Sequence, residues 1–298
     1  MQNRPLIAAA HIMTAMAIIG LIDQFIRVIA IDSSLWTFHL LRSVMIWTIA
    51  LAWLAISRKR LEVVSWRGVL ARSAFNATGL LIYFGALGFL PVAQAAAGLF
   101  SAPIFVLILS VALFRLRIGP VRIVAAFTGF AGVLMVLSPD VSTLSPAAFV
   151  PLAAGLFYAM AAIATREWCP DEHALTLTLG GFAFMGLWGL LGIVSIAVAG
   201  GEGADFLTRG WVWPTPEVLW WCIVQALGSL IAVVLLTRGY QLAEASLVSV
   251  FEYSVLGFSA LFGLLVWGDV LSVPAMLGLL LIAAAGSLIA LRGRGVPA

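Results

Sequence analysis

The chain has 298 residues, of which 63% are hydrophobic and only 10% are charged, with a formal net charge of +3 at pH 7. An average soluble domain is about 45 to 50% apolar and about 25% charged, so this composition excludes a water-exposed globule. The small positive charge follows from the distribution of arginines described below and requires no nucleic-acid partner.

Apolar segments long enough to cross a membrane recur along almost the whole chain. A hydrocarbon core of about 30 Å requires about 20 apolar residues per helix. Ten such segments are predicted, at residues 6–31, 35–56, 69–90, 92–114, 121–138, 147–165, 175–199, 217–237, 245–266 and 273–291. The first contains Asp23 and Arg27, and we expect it to remain as a spanning helix instead of being cleaved as a signal peptide. The sequence therefore predicts an all-α membrane protein with ten transmembrane helices.

The basic residues predict how these helices are oriented, because short loops rich in Lys and Arg stay on the cytoplasmic side. With the amino terminus inside, thirteen of the sixteen basic residues fall at cytoplasmic ends, including Arg58, Lys59, Arg60 and Arg72. Only Arg209 falls outside. We therefore expect both termini in the cytoplasm and the chain in a bacterial inner (plasma) membrane.

The two halves of the chain share a plan. Residues 83–137 and 240–291 each run from a Tyr through a short Ala-rich turn into a Phe- and Leu-rich helix, and then into a Gly- and Ala-rich final helix. An odd number of spans per half makes the second copy cross the membrane in the opposite sense. The sequence therefore predicts two inverted five-helix repeats, residues 1–140 and 141–298, with a substrate site between them near the midplane.

Two segments carry a family resemblance. YFGALGFLPVAQAAAGLFSAPIFVLILSVALFRLRIGPVRIVAAFTGFAGVLMVLSP and YQLAEASLVSVFEYSVLGFSALFGLLVWGD resemble the first-half and second-half signatures of EamA-type transporters in the drug/metabolite transporter superfamily. Matches to the family pattern also occur elsewhere, at Asp23, Arg27, Arg42, Tyr158 and Arg166. Arg115 and Leu116 depart from it, since the family usually has Gly and Glu there. The resemblance implies a ten-helix carrier that exports amino acids or related metabolites.

Charged residues within the spans are the first candidates for the site, because an ionisable group at membrane depth costs about 2.5 to 3.5 kcal/mol on insertion scales. At about 1.5 Å per residue, Asp23 and Arg42 lie level in the first two helices. Arg27 follows Asp23 by one turn, where an opposite-charge pair can form, and His39 precedes Arg42 by one turn, so the pattern predicts one carboxylate facing two arginines. One interpretation is a buried ion pair that fixes the hairpin; the other is an outward vestibule whose arginines attract a substrate carboxylate.

Glu252 is the other carboxylate within a predicted span. It is either a proton carrier during the transport cycle or a hydrogen-bonding group that shapes the cavity beside Tyr253. Further candidates for the transport pathway are the polar and aromatic residues Asn76, Tyr83, Gln94, Tyr158, Trp188 and Gln225. Pro103 removes a backbone hydrogen bond inside the fourth span, so it is a candidate gating hinge.

Other classes of membrane protein lack the residues they need. There is no HExxH, GxSxG or GxGD pattern for an intramembrane enzyme, and no GxxxxGK loop for an ATP-driven pump. Cys169 and Cys222 are too few for a zinc site, so no metal or other cofactor is expected. A channel would be distinguished by non-saturable flux, and a scaffold by binding without flux.

We therefore expect a secondary transporter whose partners are the lipid bilayer and a small-molecule substrate. Export of amino acids is the leading hypothesis, with aromatic or large neutral ones favoured if Tyr83, Tyr158, Trp188 and Tyr253 line the site. The alternative is another metabolite class, such as nucleosides or drug-like compounds. The sequence leaves the oligomeric state open, and a monomer is sufficient for this architecture.

Overall fold

The computed structural model describes residues 4–86, 90, 92–115, 117–139, 145–200 and 203–293, and within these ranges the chain is helical without strands. Its α-helices, in chain order, are α1 (Pro5–Ile22), α2 (Ile26–Asp32), α3 (Leu35–Ser57), α4 (Trp66–Ala86), α5 (Val92–Leu99), α6 (Ala102–Phe114), α7 (Pro120–Leu137), α8 (Val150–Glu167), α9 (Ala174–Ala199), α10 (Pro216–Leu242), α11 (Ala245–Val248), α12 (Ser254–Trp267) and α13 (Val273–Gly293). Within these ranges, three 3₁₀ turns, Asp23–Phe25, Pro146–Phe149 and Ser249–Tyr253, connect or precede helices. The side of the bundle on which α1 begins is called the inner side below.

Nine helical segments of the described chain are long and apolar enough to cross a membrane: Pro5–Asp32, Leu35–Ser57, Val92–Leu113, Pro120–Leu137, Pro146–Glu167, Ala174–Ala199, Pro216–Leu242, Ala245–Trp267 and Val273–Leu291. Nine of the ten predicted spans are thereby confirmed as helices. The remaining one, α4, has 21 residues but is less apolar, because it contains polar residues such as Arg72, Ser73 and Asn76; Arg72 and Ser73 are buried in the bundle. Large apolar side chains cover the outside of the bundle, where Ile56 and Val198 are 85% and 82% exposed, as expected for a surface in lipid.

Several helix ends follow from their capping residues. The side chains of Ser34 and Thr215 accept hydrogen bonds from backbone N–H groups in the first turns of α3 and α10. Among the described residues, five helices end on a residue in the left-handed region: α3 on Arg58, α6 on Arg115, α7 on Ser138, α9 on Gly200 and α12 on Gly268. Glycine adopts this conformation without steric cost, whereas a residue with a Cβ, such as arginine, adopts it at a steric cost.

Two of the spans are interrupted at matching places in the two halves. The fourth breaks at Phe100 and Ser101 between α5 and α6, and the ninth breaks at the 3₁₀ turn between α11 and α12. Pro103 lies in the first turn of α6, so the helix is interrupted beside it as the sequence predicts. Its role as a gating hinge stays a prediction.

The main helix pairs join the two halves of the chain. Helix α1 packs along α10 while α8 packs along α4, and α3 pairs with α9 as α7 does with α13. Gly132 and Gly278 bring α7 and α13 into backbone contact, since a Cβ built on Gly132 would lie 2.5 Å from the carbonyl oxygen of Gly278. Each of these pairs joins a helix of the first half to one of the second.

Candidate functional site

A cavity of about 140 Å³ lies inside the bundle between the two halves. One water needs about 10 to 15 Å³ by this kind of measure, so the space is sufficient for a small solute. Its walls come from α1 and the turn after it, α3, α4, α9 and α10. The polar lining residues are Asp23, Arg42, Asn76, Thr178 and Ser229, and the apolar ones include Phe84, Phe182 and Met185.

Asp23 opens the 3₁₀ turn that interrupts the first span. Its side chain is exposed although it lies far from either end of the span, because it faces the cavity. Gln225 of α10 interacts with the carboxylate of Asp23 and donates a 2.6 Å hydrogen bond to the carbonyl oxygen of Ile22. The turn that presents Asp23 is thus held by a buried amide from the second half of the chain.

Arg42 reaches the cavity from the neighbouring helix α3 and is almost fully buried. Its Nη2 lies 3.2 Å from Nδ1 of the buried His39, and its guanidinium carbon lies 4.6 Å from the ring centroid of Phe38. Asp23 and Arg42 interact electrostatically, yet among the described residues they do not form a direct ion pair. The cavity therefore has one negative and one positive wall.

Arg27 does not pair with Asp23, so the predicted cluster of one carboxylate with two arginines is wrong in this respect. Arg27 instead forms an ion pair of 3.8 Å with Asp269, and its guanidinium carbon lies 3.7 Å from the ring centroid of Trp267. The 3₁₀ turn after Asp23 has 3.0 residues per turn in place of 3.6, which rotates Arg27 away from the face that carries Asp23. Arg27 therefore lies on the outer surface, away from the cavity.

A second polar cluster lies nearer the inner side, around Glu252. The Glu252 carboxylate accepts hydrogen bonds from the hydroxyls of Tyr158, at 2.9 Å, and Tyr240. Tyr253 is fully buried beside it, and its hydroxyl has no hydrogen-bond partner within the described structure. The sequence pattern named Glu252, Tyr158 and Tyr253 as site candidates. Tyr240, at the end of α10, was noted only as the tyrosine at which the second repeated segment begins, in the position that Tyr83 has in the first.

The other predicted site residues are distributed around the bundle. Asn76 lines the cavity, and Tyr83 packs on the cavity residue Phe84 with ring centroids 5.0 Å apart. Gln94 lies at a separate crevice between α5, α7 and α8. Trp188 is in α9 but does not line the cavity, and Pro103 is in α6. No group of three or more metal-binding side chains occurs in the part of the chain that the structure describes.

Arg72 is the charged residue that sequence reasoning misplaced. It was assigned to the cytoplasmic end of the third span, but the structure buries it inside the bundle. Its guanidinium donates to Thr165 Oγ1 at 3.0 Å, to the carbonyl oxygen of Leu177 at 3.1 Å and to Thr237 Oγ1 at 3.2 Å. The helix begins at Trp66, three residues earlier than predicted, and this places Arg72 deeper in the span.

Residues 6–138 match the EamA-like transporter family. Over 98% of its length the chain is 26% identical to an uncharacterized transporter of Helicobacter pylori, covering 97% of that protein. It is 27% identical to a riboflavin transporter of Rhizobium johnstonii, over 68% of this chain and 63% of that protein. It is 28% identical to the pseudopaline exporter CntI of Pseudomonas aeruginosa, over 74% of this chain and 71% of that protein. A solved crystal structure covering 98% of this chain and 99% of that one has a TM-score of 0.80 at 16% identity, which shows a shared fold.

The first half of the chain is thus similar to the EamA-like transporter family, and almost the whole chain is similar to a protein named as a transporter. Together with the nine candidate membrane helices of the described residues, these matches indicate a multi-pass membrane transporter. The transporter class expected from the sequence is thereby supported. Riboflavin and pseudopaline are the named cargoes of two relatives, and neither match supports the expected amino-acid specificity.

Proposed function

We propose that this chain is an inner-membrane secondary transporter that exports a small zwitterionic metabolite, with amino acids as the leading class. The observation that supports this most directly is the cavity with Asp23 on one wall and Arg42 on another, in electrostatic contact but without a direct ion pair. An α-amino acid carries an ammonium and a carboxylate on adjacent carbons, so it would complement both charges at once.

Asp23 and Arg42 are two cavity charges without a direct ion-pair partner among the described residues. A charge inside a membrane protein is costly unless an opposite charge and hydrogen bonds compensate for its lost hydration. A bound ammonium would compensate Asp23, and a bound carboxylate would accept the parallel N–H groups of Arg42, to which it is well matched in geometry. A cargo with both groups would therefore gain affinity from each wall.

The apolar residues of the cavity lining determine which cargo side chains fit best. Phe84, Phe182 and Met185 contribute ring and thioether surface beside the two charges. Aromatic and large neutral side chains would bury apolar area there and could stack on the phenylalanine rings. This favours aromatic or large neutral amino acids over small or charged ones.

The architecture is suited to alternating access. Walls from α3 and α4 in the first half face walls from α9 and α10 in the second, so a rocking motion of one half against the other would open the cavity to either side. Both halves are in one chain, so a monomer is sufficient. Two inverted repeats, residues 1–140 and 141–298, with both termini in the cytoplasm, complete this proposal.

A second candidate is a different metabolite class. It is favoured by the relatives named as riboflavin and pseudopaline transporters, and nucleosides or drug-like compounds belong to the same alternative. Such cargo would use the aromatic surface and would depend less on a pair of opposite charges. A non-saturable channel is distinguished from both carriers by the absence of counterflow.

The test is transport by purified protein in liposomes, using a panel of labelled amino acids, nucleosides and riboflavin. We expect saturable uptake and counterflow of one or more amino acids, and loss of both when either the amino or the carboxyl group of the cargo is blocked. Transport only of riboflavin or nucleosides, or equal transport of blocked and free amino acids, would contradict the zwitterion proposal. Reporter tags at each terminus test the orientation, and a tag found outside would contradict it.

A further inference from the structure

Arg72 is a buried cation whose hydrogen-bond partners are all neutral. It is 5% exposed, and its three donor nitrogens contact two threonine hydroxyls and one backbone carbonyl. These acceptors belong to α8, α9 and α10. Such bonds satisfy the geometry of the guanidinium without neutralising its charge, so an anion would be a better partner than the hydroxyls of Thr165 and Thr237.

Glu252 presents the complementary case, because it is a carboxylate held by two neutral hydroxyls. Tyr158 and Tyr240 donate to its two oxygens, and within the described residues it has no salt-bridge partner. Tyr240, which donates to Glu252, lies one turn after Thr237, which accepts from Arg72, on the same helix α10. The two charges therefore share one neighbourhood, and each is capped by side chains that an incoming polar group could replace.

Arg72 and Glu252 lie about as far from the inner ends of their helices as Asp23 and Arg42 lie from the outer ends of theirs. At about 1.5 Å per residue, Arg72 lies about 9 Å from the inner end of its helix at Trp66, and Glu252 lies about 10 Å from the inner end of its span at Ala245. Asp23 and Arg42 lie about 13 Å and about 10 Å from the outer ends of theirs. One acid and one arginine thus occur at similar depth on each side.

From this juxtaposition we propose that Arg72 and Glu252 form an inner binding station for the same class of zwitterionic cargo. The inference rests on the proposed function. When the inner side opens, the cargo carboxylate replaces the hydroxyls of Thr165 and Thr237 at Arg72, and its ammonium replaces the tyrosine hydroxyls at Glu252. Cargo arriving from the cytoplasm is bound there first and then moves to the Asp23 and Arg42 walls.

Asn76 and Gly181 connect the two stations. Asn76 follows Arg72 by one turn of α4 and lines the outer cavity, and residues four apart share a helix face. A Cβ built on Gly181 would lie 3.4 Å from Nη1 of Arg72 and 3.5 Å from Nδ2 of Asn76. The cavity wall at Asn76 and Gly181 is therefore next to the guanidinium of Arg72. Gly181 has no side chain that would separate the two.

The experiment measures the cargo KM separately from each face, in membrane vesicles of defined orientation. For Arg72→Gln we expect the inner-face KM to rise about 10- to 100-fold, which is the range for losing a charged hydrogen bond, while the outer-face KM stays within about twofold. Glu252→Gln should shift in the same direction. Arg67→Gln and Glu167→Gln, which change exposed charges near the inner ends of α4 and α8, are the matched controls and should leave both constants unchanged.

A merely structural role for Arg72 makes a different prediction, because a loosened bundle would affect both faces equally. Equal changes at both faces, or no change at the inner face, would overturn the station. If Arg72→Gln does not fold, the C-amidated cargo is used as a competitor of free-acid transport from the inner face, in the wild type and in Arg72→Lys. We expect the ratio between the inhibition constant of the amide and the KM of the free acid to be large in the wild type and smaller in Arg72→Lys; equal ratios would also overturn the proposal. Wild-type protein that transports no zwitterion would instead refute the proposed function itself.

Discussion

Replacing Arg42 by Lys separates the binding role of this residue from its charge. The Arg42 guanidinium is fixed on one side by His39, at 3.2 Å, and lies over the ring of Phe38. Arg42 lines the cavity, and a guanidinium offers N–H groups in a planar fork, whereas a lysine ammonium at this position offers a point charge without parallel donors. The substitution should therefore weaken carboxylate binding and leave the net charge of the cavity unchanged.

The size of the effect follows from the bond that is lost. A hydrogen bond to a charged group contributes about 1.5 to 3 kcal/mol, and each 1.4 kcal/mol is about a tenfold change in affinity. We expect the cargo Kd of Arg42→Lys to rise about 10- to 100-fold, with little change in the thermal unfolding of the detergent-solubilised protein. Arg238→Lys, an exchange at an exposed site on α10, is the matched control.

The assay is equilibrium binding and counterflow with a labelled amino acid, repeated with its C-amidated form. Amidation removes the carboxylate, so the amide should bind wild type and Arg42→Lys with similar affinity. A folded Arg42→Lys variant with wild-type affinity for the free acid would refute the assignment of Arg42 to the cargo carboxylate.

Three further substitutions test separate parts of the account. Arg115→Gly should raise the free energy of unfolding by about 1 kcal/mol. The reason is that Arg115 adopts a left-handed conformation with φ of 51°, which costs a non-glycine residue about 1 to 2 kcal/mol. An unchanged or lower unfolding temperature would contradict this. Gly132→Leu should abolish the yield of folded protein by separating α7 from α13. Gly85→Leu is the control and should be tolerated, because a Cβ at Gly85 meets open space. Normal yields of both variants would contradict the close contact between α7 and α13. Proton coupling through Glu252 predicts that Glu252→Gln loses the response of flux to an imposed pH gradient, and a folded variant that keeps this response excludes such coupling.

The number and limits of the spans were largely predictable because they depend on local sequence. Runs of about 20 apolar residues are a property of each segment alone, and they give nine of the membrane helices. Helix α4 is the informative exception. Its third-span position was predicted, but its lower hydropathy comes from polar groups such as Arg72 that point into the bundle.

The contacts of individual charges were less predictable because they depend on distant parts of the chain. Asp23 and Arg42 were placed at the same depth by counting residues, and the structure brings both to one cavity. Arg27 was assigned to Asp23 at helical spacing, but its partner Asp269 lies more than 240 residues further along the chain. An arginine near an inner helix end also looks like an ordinary topology signal, which is why the burial of Arg72 was missed.

Arg115, which departs from the family pattern, lies at a helix end where the backbone is left-handed. Gly268 ends α12 in the left-handed region, and Arg115 ends α6 in the same region at the matching place in the first half. The glycine usual in the family fits this conformation, while Arg115 adopts it at a steric cost. This match of two helix ends supports the proposed duplication, although the sequences at the two turns differ.

The central claim is that a water-accessible cavity between the two halves binds the cargo, and thiol labelling at Asn76 tests it most directly. Burial raises the pKa of the Cys169 thiol to about 11, which lowers its background reactivity, and serine at positions 169 and 222 removes the remainder. We expect Asn76→Cys to react with a membrane-impermeant thiol reagent and to be protected by transported cargo, while Ile108→Cys on the exposed apolar surface stays unlabelled. An Asn76→Cys thiol that no reagent reaches from either face, or whose labelling no transported cargo slows, would contradict the claim.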